Sequence, residues 1–106
     1  MRPELEPHAF VLLRRPEDAP ELTEAEGDVL QEAHLDYLQS LRDRCVLAAS
    51  GPFGDQPDES WRGLCLLRTT PQEASRLLAD DPLVRRGRLE AVILTWHVRK
   101  GDIASR

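Results

Sequence analysis

Val46-Leu47-Ala48-Ala49-Ser50-Gly51-Pro52-Phe53-Gly54-Asp55-Gln56-Pro57-Asp58-Glu59-Ser60-Trp61-Arg62-Gly63-Leu64-Cys65-Leu66-Leu67-Arg68-Thr69 lies at the middle of the chain and decides the fold. Val46 to Ser50 reads as a strand stopped by Gly51-Pro52. Phe53 to Glu59, holding Gly54, Pro57 and three acids, reads as loop, and Gly63 to Thr69 as the next strand. Two strands therefore follow one another with no helix between them.

Outward from that pair, the flanks mirror each other. Upstream, Thr23-Glu24-Ala25-Glu26 has the capping-box form, in which the Thr hydroxyl accepts from the N3 amide and Glu26 reaches back. The helix it opens runs to about Arg42, with Leu30, Ala33, Tyr37, Leu38 and Leu41 at helical spacing. Before it come the apolar run Ala9 to Leu13, suited to a buried strand, and a Pro-interrupted loop from Arg15 to Glu21. Downstream, Thr70-Pro71-Gln72-Glu73 is a second capping box, with Pro where a missing N–H does no harm. About ten helical residues follow through Ala74, Leu77 and Leu78. Asp81-Pro82 breaks that helix, Leu83 to Gly87 is a short turn, and Leu89 to Val98 is the last strand. Residues 1–8 read as a leader and 99–106 as a polar tail, leaving 9–98 as a single domain.

The order is β-α-β-β-α-β, the split βαβ arrangement of ferredoxin-like α+β folds. A four-stranded antiparallel sheet with its helices on one face should alternate apolar and polar residues. Phe10-Val11-Leu12-Leu13, Leu64-Cys65-Leu66-Leu67 and Val92-Ile93-Leu94 do not alternate. The uncovered face needs a covering surface, and the simplest is the same face of a second copy, a homodimer.

Composition bounds the chemistry. The chain has 106 residues, 19 acids against 14 bases and a formal net charge of −5. That balance disfavours nucleic acid or an anionic membrane as partner. No apolar run approaches the roughly 20 residues of a membrane span, and the polar, Pro-broken start is unlike a signal peptide; a cytoplasmic location is the default expectation. Cys45 and Cys65 have neither zinc spacing nor a C-x-x-C relation, and Cys65 reads as a buried free thiol. The sequence carries no nucleophile elbow, Walker loop, GxGxxG or H-E-x-x-H, so the expectation is a site with no metal and no cofactor.

His34-Leu35, Tyr37-Leu38, Gly51-Pro52-Phe53-Gly54-Asp55, Glu73-Ala74, Asp81-Pro82-Leu83-Val84, Gly87 and Trp96 occur in the order of the YCII-related family, which the chain resembles over residues 9–98. The resemblance implies a ferredoxin-like protomer in a sheet-to-sheet dimer, an α/β barrel. It implies an active site of a helix His and an Asp in the loop after the second strand, here His34 and Asp55. Dehydrochlorination of a chlorinated aromatic is the kind of reaction associated with the family. The chain departs from the family pattern at Asp43-Arg44-Cys45, where a Gly often stands, and at Trp61, which bears on pocket shape.

The residues support such a site on their own terms. His34 lies four positions from both Leu30 and Leu38, so it faces the sheet. Eight residues back from Arg42 is about 12 Å of helix, and Val46 to Gly51 is about 17 Å of strand. Those heights bring Asp55 within reach of the imidazole. A carboxylate fixes the ring's tautomer and suits it to general-base work near neutral pH. A core histidine with one hydrogen bond, and a solvated loop aspartate, fit the same two residues. Ser50, Gly51 and Pro52 would wall the pocket, Tyr37 and Phe53 would line it for a planar molecule, and Arg14 or His97 would edge it. Two functions follow: an acid–base lyase or isomerase acting on a small molecule, or a non-catalytic module binding a small ligand or a partner protein.

Overall fold

The Thr23 hydroxyl accepts from the Glu26 amide at 3.1 Å while the Glu26 carboxylate accepts from the Thr23 amide at 3.0 Å. This capping box opens α1 (Glu24–Asp43) in a computed structural model that describes residues 2–103. Around α1 the chain runs β1 (Leu5–Arg14), β2 (Leu47–Pro52), β3 (Trp61–Leu67), α2 (Pro71–Leu78), α3 (Pro82–Arg85) and β4 (Glu90–Arg99). The described strands form one antiparallel-paired sheet of order β2-β3-β1-β4. This is the expected α+β, ferredoxin-like arrangement, with β3 inserted between the two strands that α1 connects.

The helix ends in a left-handed turn. Cys45 has φ +62°, and the amides of Cys45 and Val46 donate to the Arg42 and Leu41 carbonyls, both at 2.9 Å. Those two bonds are the Schellman closure, which usually places Gly at the left-handed position. Cys45 takes the conformation that the expected glycine would have taken.

Alternation along the strands separates two faces. Ala9, Val11, Leu13, Cys65 and Leu67 are buried against Leu38, Leu41, Ala74, Leu77 and Leu78 of the helices. On the opposite face Phe10 pairs with both Leu66 and Leu94, and Leu12 with both Leu64 and Val92. Among the described residues no helix covers that face, and Leu94 and Trp96 stay about half exposed at 55% and 47%. The Trp96 ring meets Phe10 edge to face, with centroids 5.6 Å apart.

Three local expectations are revised. Leu5 to His8 are not loose, because they pair with Trp96 to Arg99 and lengthen β1; His8 is therefore buried, with 8% of its surface exposed. Thr70 caps α2, but its capping box is half made: Glu73 turns to Arg76 instead of reaching back. The turn after Asp81 is a helical turn in its own right, α3, and Gly87, at φ +78°, supplies the left-handed residue that follows it.

Candidate functional site

Asp81 organises the site from below. It is 1% exposed and stands at the N-cap of α3, where Pro82 occupies the first helical position. Its Oδ1 accepts from the amides of Leu83 at 2.8 Å and Val84 at 3.4 Å. Its Oδ2 lies 2.6 Å from Nδ1 of His34. A buried carboxylate without partners is costly, and here both oxygens are satisfied. A carboxylate oxygen only accepts, so Nδ1–H is the donor in this bond, and Nε2 is the ring nitrogen that it does not use.

His34 is itself buried, at 7% exposure, and it forms part of the wall of a cleft of about 720 Å³. The cleft lies between α1, from Glu24 to Arg42, and the adjoining ends of β1, β2 and β3. Ser50, Gly51 and Pro52 supply one side and Leu35 and Gln31 the other. Gly63 on the floor has to be glycine. A Cβ there would stand 2.7 Å from the Gly51 carbonyl oxygen, closer than atoms can pack, so the two strands approach only because that side chain is absent. Arg42 donates to the Ser50 hydroxyl at 2.9 Å and ties α1 to the end of β2.

Of the residues singled out in the sequence, His34, Ser50, Gly51 and Pro52 converge on this cleft. The others lie elsewhere. Asp55 is exposed in the β2–β3 loop and does not line the cleft; the carboxylate on His34 belongs to Asp81. Arg14 pairs with Glu90 across the β1–β4 ladder, because its side chain shares the uncovered face with Phe10 and Leu12. Tyr37 donates to the Leu77 carbonyl at 2.5 Å, bonding α1 to α2. Burial and then the nearby Asp80 push its phenol above the ordinary range. Phe53 packs at a tilt on Trp61, centroids 6.4 Å apart. His97 is exposed on β4.

The partner that was missed had a signal. An aspartate directly before a proline at a helix start is an N-cap, so its carboxylate is held at a fixed place. Arg15, Arg62 and Arg88 also line the cleft. Arg15 is the first residue past β1, where its amide donates to the Ser60 carbonyl at 2.7 Å, and its side chain lines the cleft while that of Arg14 pairs with Glu90. Among the described residues, no three His, Cys, Asp or Glu side chains gather as a metal-binding group, and no helix is long and apolar enough to cross a membrane.

Comparisons with known proteins agree with this architecture. No curated protein matches the chain. Among solved structures, 5-chloro-2-hydroxyhydroquinone dehydrochlorinase of Burkholderia phenoliruptrix AC1100, in complex with 2,5-dihydroxybenzoquinone, is similar at a TM-score of 0.58 and 18% identity. The match covers 86% of this chain and 93% of that one, and at that identity it is a likeness of fold. Residues 9–97, from the middle of β1 almost to the end of β4, match the YCII-related domain. The chain belongs to the YCII-related domain family.

Proposed function

We propose that the protein is a small acid–base catalyst acting on a compact, planar molecule bound in the cleft beside His34. The observation that carries this reading is the buried 2.6 Å bond between His34 Nδ1 and Asp81 Oδ2 at the wall of an open cleft. Asp81 is a positioning residue: it holds the tautomer and stabilises the imidazolium that forms when Nε2 accepts a proton. This is the role that the sequence reading gave to Asp55.

The reaction class is elimination or isomerisation. His34 Nε2 takes a proton from the substrate, the freed electron pair moves into the ring system, and in an elimination a leaving group such as chloride departs with its own pair. The proton then passes from the imidazolium to water. The chlorinated hydroxyhydroquinone of the similar dehydrochlorinase is the natural first substrate to offer. None of these steps calls for a cofactor. The reading includes a homodimer, supported by the uncovered apolar face of Phe10, Leu12, Leu64, Leu66, Val92, Leu94 and Trp96, and a cytoplasmic setting.

The test is chloride release from chlorinated hydroxyhydroquinones by the purified protein and by His34→Gln. Release that depends on His34 supports the reading. Binding of the same compounds with no turnover assigns the cleft to a ligand-binding module instead.

A further inference from the structure

Some arginines on this acidic chain have found an acid. Arg14 pairs with Glu90, Arg76 with Glu73 and Arg86 with Glu26. The arginines at one end of the cleft have not. Arg62 donates to the Glu59 carbonyl at 3.3 Å and Arg88 to the Pro20 carbonyl at 2.9 Å, so their hydrogen bonds go to neutral oxygens. Arg15 has its Nε–H buried with no hydrogen-bond partner. Among the described residues, none of the three has a carboxylate within ion-pairing distance. The carboxylates that line the same cleft are Glu24 and Asp28 of α1, both exposed.

This grouping works against the folded state. Desolvation first, then the like charges of Arg88 and Arg62, lower the proton affinity of the Arg15 guanidinium. Three cations of one sign with a buried, unused donor among them are costly when empty and are relieved by an anion. A guanidinium cluster also matches the geometry of a carboxylate or phosphate, whose paired oxygens accept parallel N–H bonds.

We propose that the Arg15, Arg62 and Arg88 end of the cleft is an anion subsite, and that the ligand of this protein is an organic anion whose carboxylate or phosphate seats there. The inference rests on the proposed use of the cleft as a substrate site and names the class of that substrate. The charged group docks on the arginines, and the remainder of the molecule extends along the cleft toward His34. An uncharged phenol such as a hydroxyhydroquinone fills only the His34 end of the cleft, and the same ring carrying a carboxylate or phosphate binds more tightly.

Calorimetric and thermal-shift titrations with sodium benzoate, inorganic phosphate and neutral benzamide, at ionic strength held constant with sodium chloride, test the subsite on the full chain. Benzoate, phosphate or both should bind and raise the Tm, and benzamide should not. Benzoate alone identifies a carboxylate ligand and phosphate alone a phosphate ester. Arg15→Gln should weaken anion binding about tenfold or more, while Arg85→Gln, an exposed arginine of α3, leaves it unchanged. Arg15→Gln should fold with an unchanged or higher Tm in the absence of ligand, since it removes the crowded cation; Arg62→Gln on the rim is the second variant. Benzamide binding as well as benzoate, anion affinity unaltered in both Arg15→Gln and Arg62→Gln, or no anion bound at all would each overturn the proposal. Chloride release that depends on His34 while no anion binds removes this inference alone. Anion binding that survives His34→Gln without any turnover by the parent chain removes the catalytic reading alone.

Discussion

His34 and Asp81 lie 47 positions apart in the chain and 2.6 Å apart in space, both buried. One arrives on the inner stripe of α1 and the other as the N-cap of α3, so the bond staples the first half of the fold to the second. The same contact is structural and chemical at once, and substitutions separate the two roles.

Removing the imidazole leaves the buried Asp81 carboxylate short of a partner. Breaking a buried ionisable pair from one side typically costs about 3–5 kcal/mol, so His34→Ala should lose about 3 kcal/mol in urea unfolding. Asp81→Asn keeps an oxygen to cap α3 and should lose less, about 1 kcal/mol. Equal and negligible losses for both would show that the contact is not formed in solution.

The left-handed Cys45 is the second point of strain. A non-glycine residue at such an angle is disfavoured by roughly 1–2 kcal/mol, part of which glycine gives back through a more flexible unfolded chain. Cys45→Gly should therefore raise stability by about 0.5–1 kcal/mol. A Tm below that of the parent chain would contradict this.

Burial pushes the Cys65 thiol up to about 12, with Asp81 adding to the effect. The sign follows from the unfolded thiol, which ionises near 8.5. Below about pH 8 the thiol is neutral in both states and contributes no pH dependence. Between about 8.5 and 12 only the unfolded chain ionises, so stability falls by roughly 1.4 kcal/mol per pH unit. Cys65→Ala should lack that component of alkaline destabilisation. In the native protein near pH 8, a thiol reagent should label Cys45, which is partly exposed, and reach Cys65 only after unfolding.

The uncovered face makes its own prediction. The parent chain should elute as a dimer, and Leu94→Asp, at a half-exposed position on that face, should fold and elute as a monomer. Light scattering that gives a monomer for the parent chain at micromolar concentration would remove the dimer from the account.

Much of the fold was legible because it depends on local chemistry. The Thr23–Glu26 box and the apolar runs each act over a few residues, and the structure reproduces the order they imply; Gly51-Pro52 does not stop β2, which pairs with β3 through Pro52. His34 was legible for the same reason: its spacing to Leu30 and Leu38 sets the face it occupies. Its partner was not. A height count along α1 and β2 carries no information about α3, so it reached Asp55 and left out Asp81, which the packing of α3 against α1 brings to the imidazole. Arg14 and Arg15 show the other limit. Arg14 closes β1 and Arg15 lies just past it, so where the strand ends decides which arginine lines the cleft.

The most direct test of the central claim sets the two carboxylates against each other. Chloride release from a chlorinated hydroxyhydroquinone is measured for the parent chain, His34→Gln, Asp81→Asn, Asp55→Asn and the His34→Gln/Asp81→Asn double variant, with the His34 tautomer read by 15N NMR. The account predicts an Nδ1–H ring in the parent, large losses of kcat at similar KM for His34→Gln and Asp81→Asn, and little further loss in the double variant, since residues acting as one unit are non-additive. Asp55→Asn should retain the parent rate. An Nε2–H tautomer, or full loss of turnover in Asp55→Asn with Asp81→Asn unaffected, would contradict it.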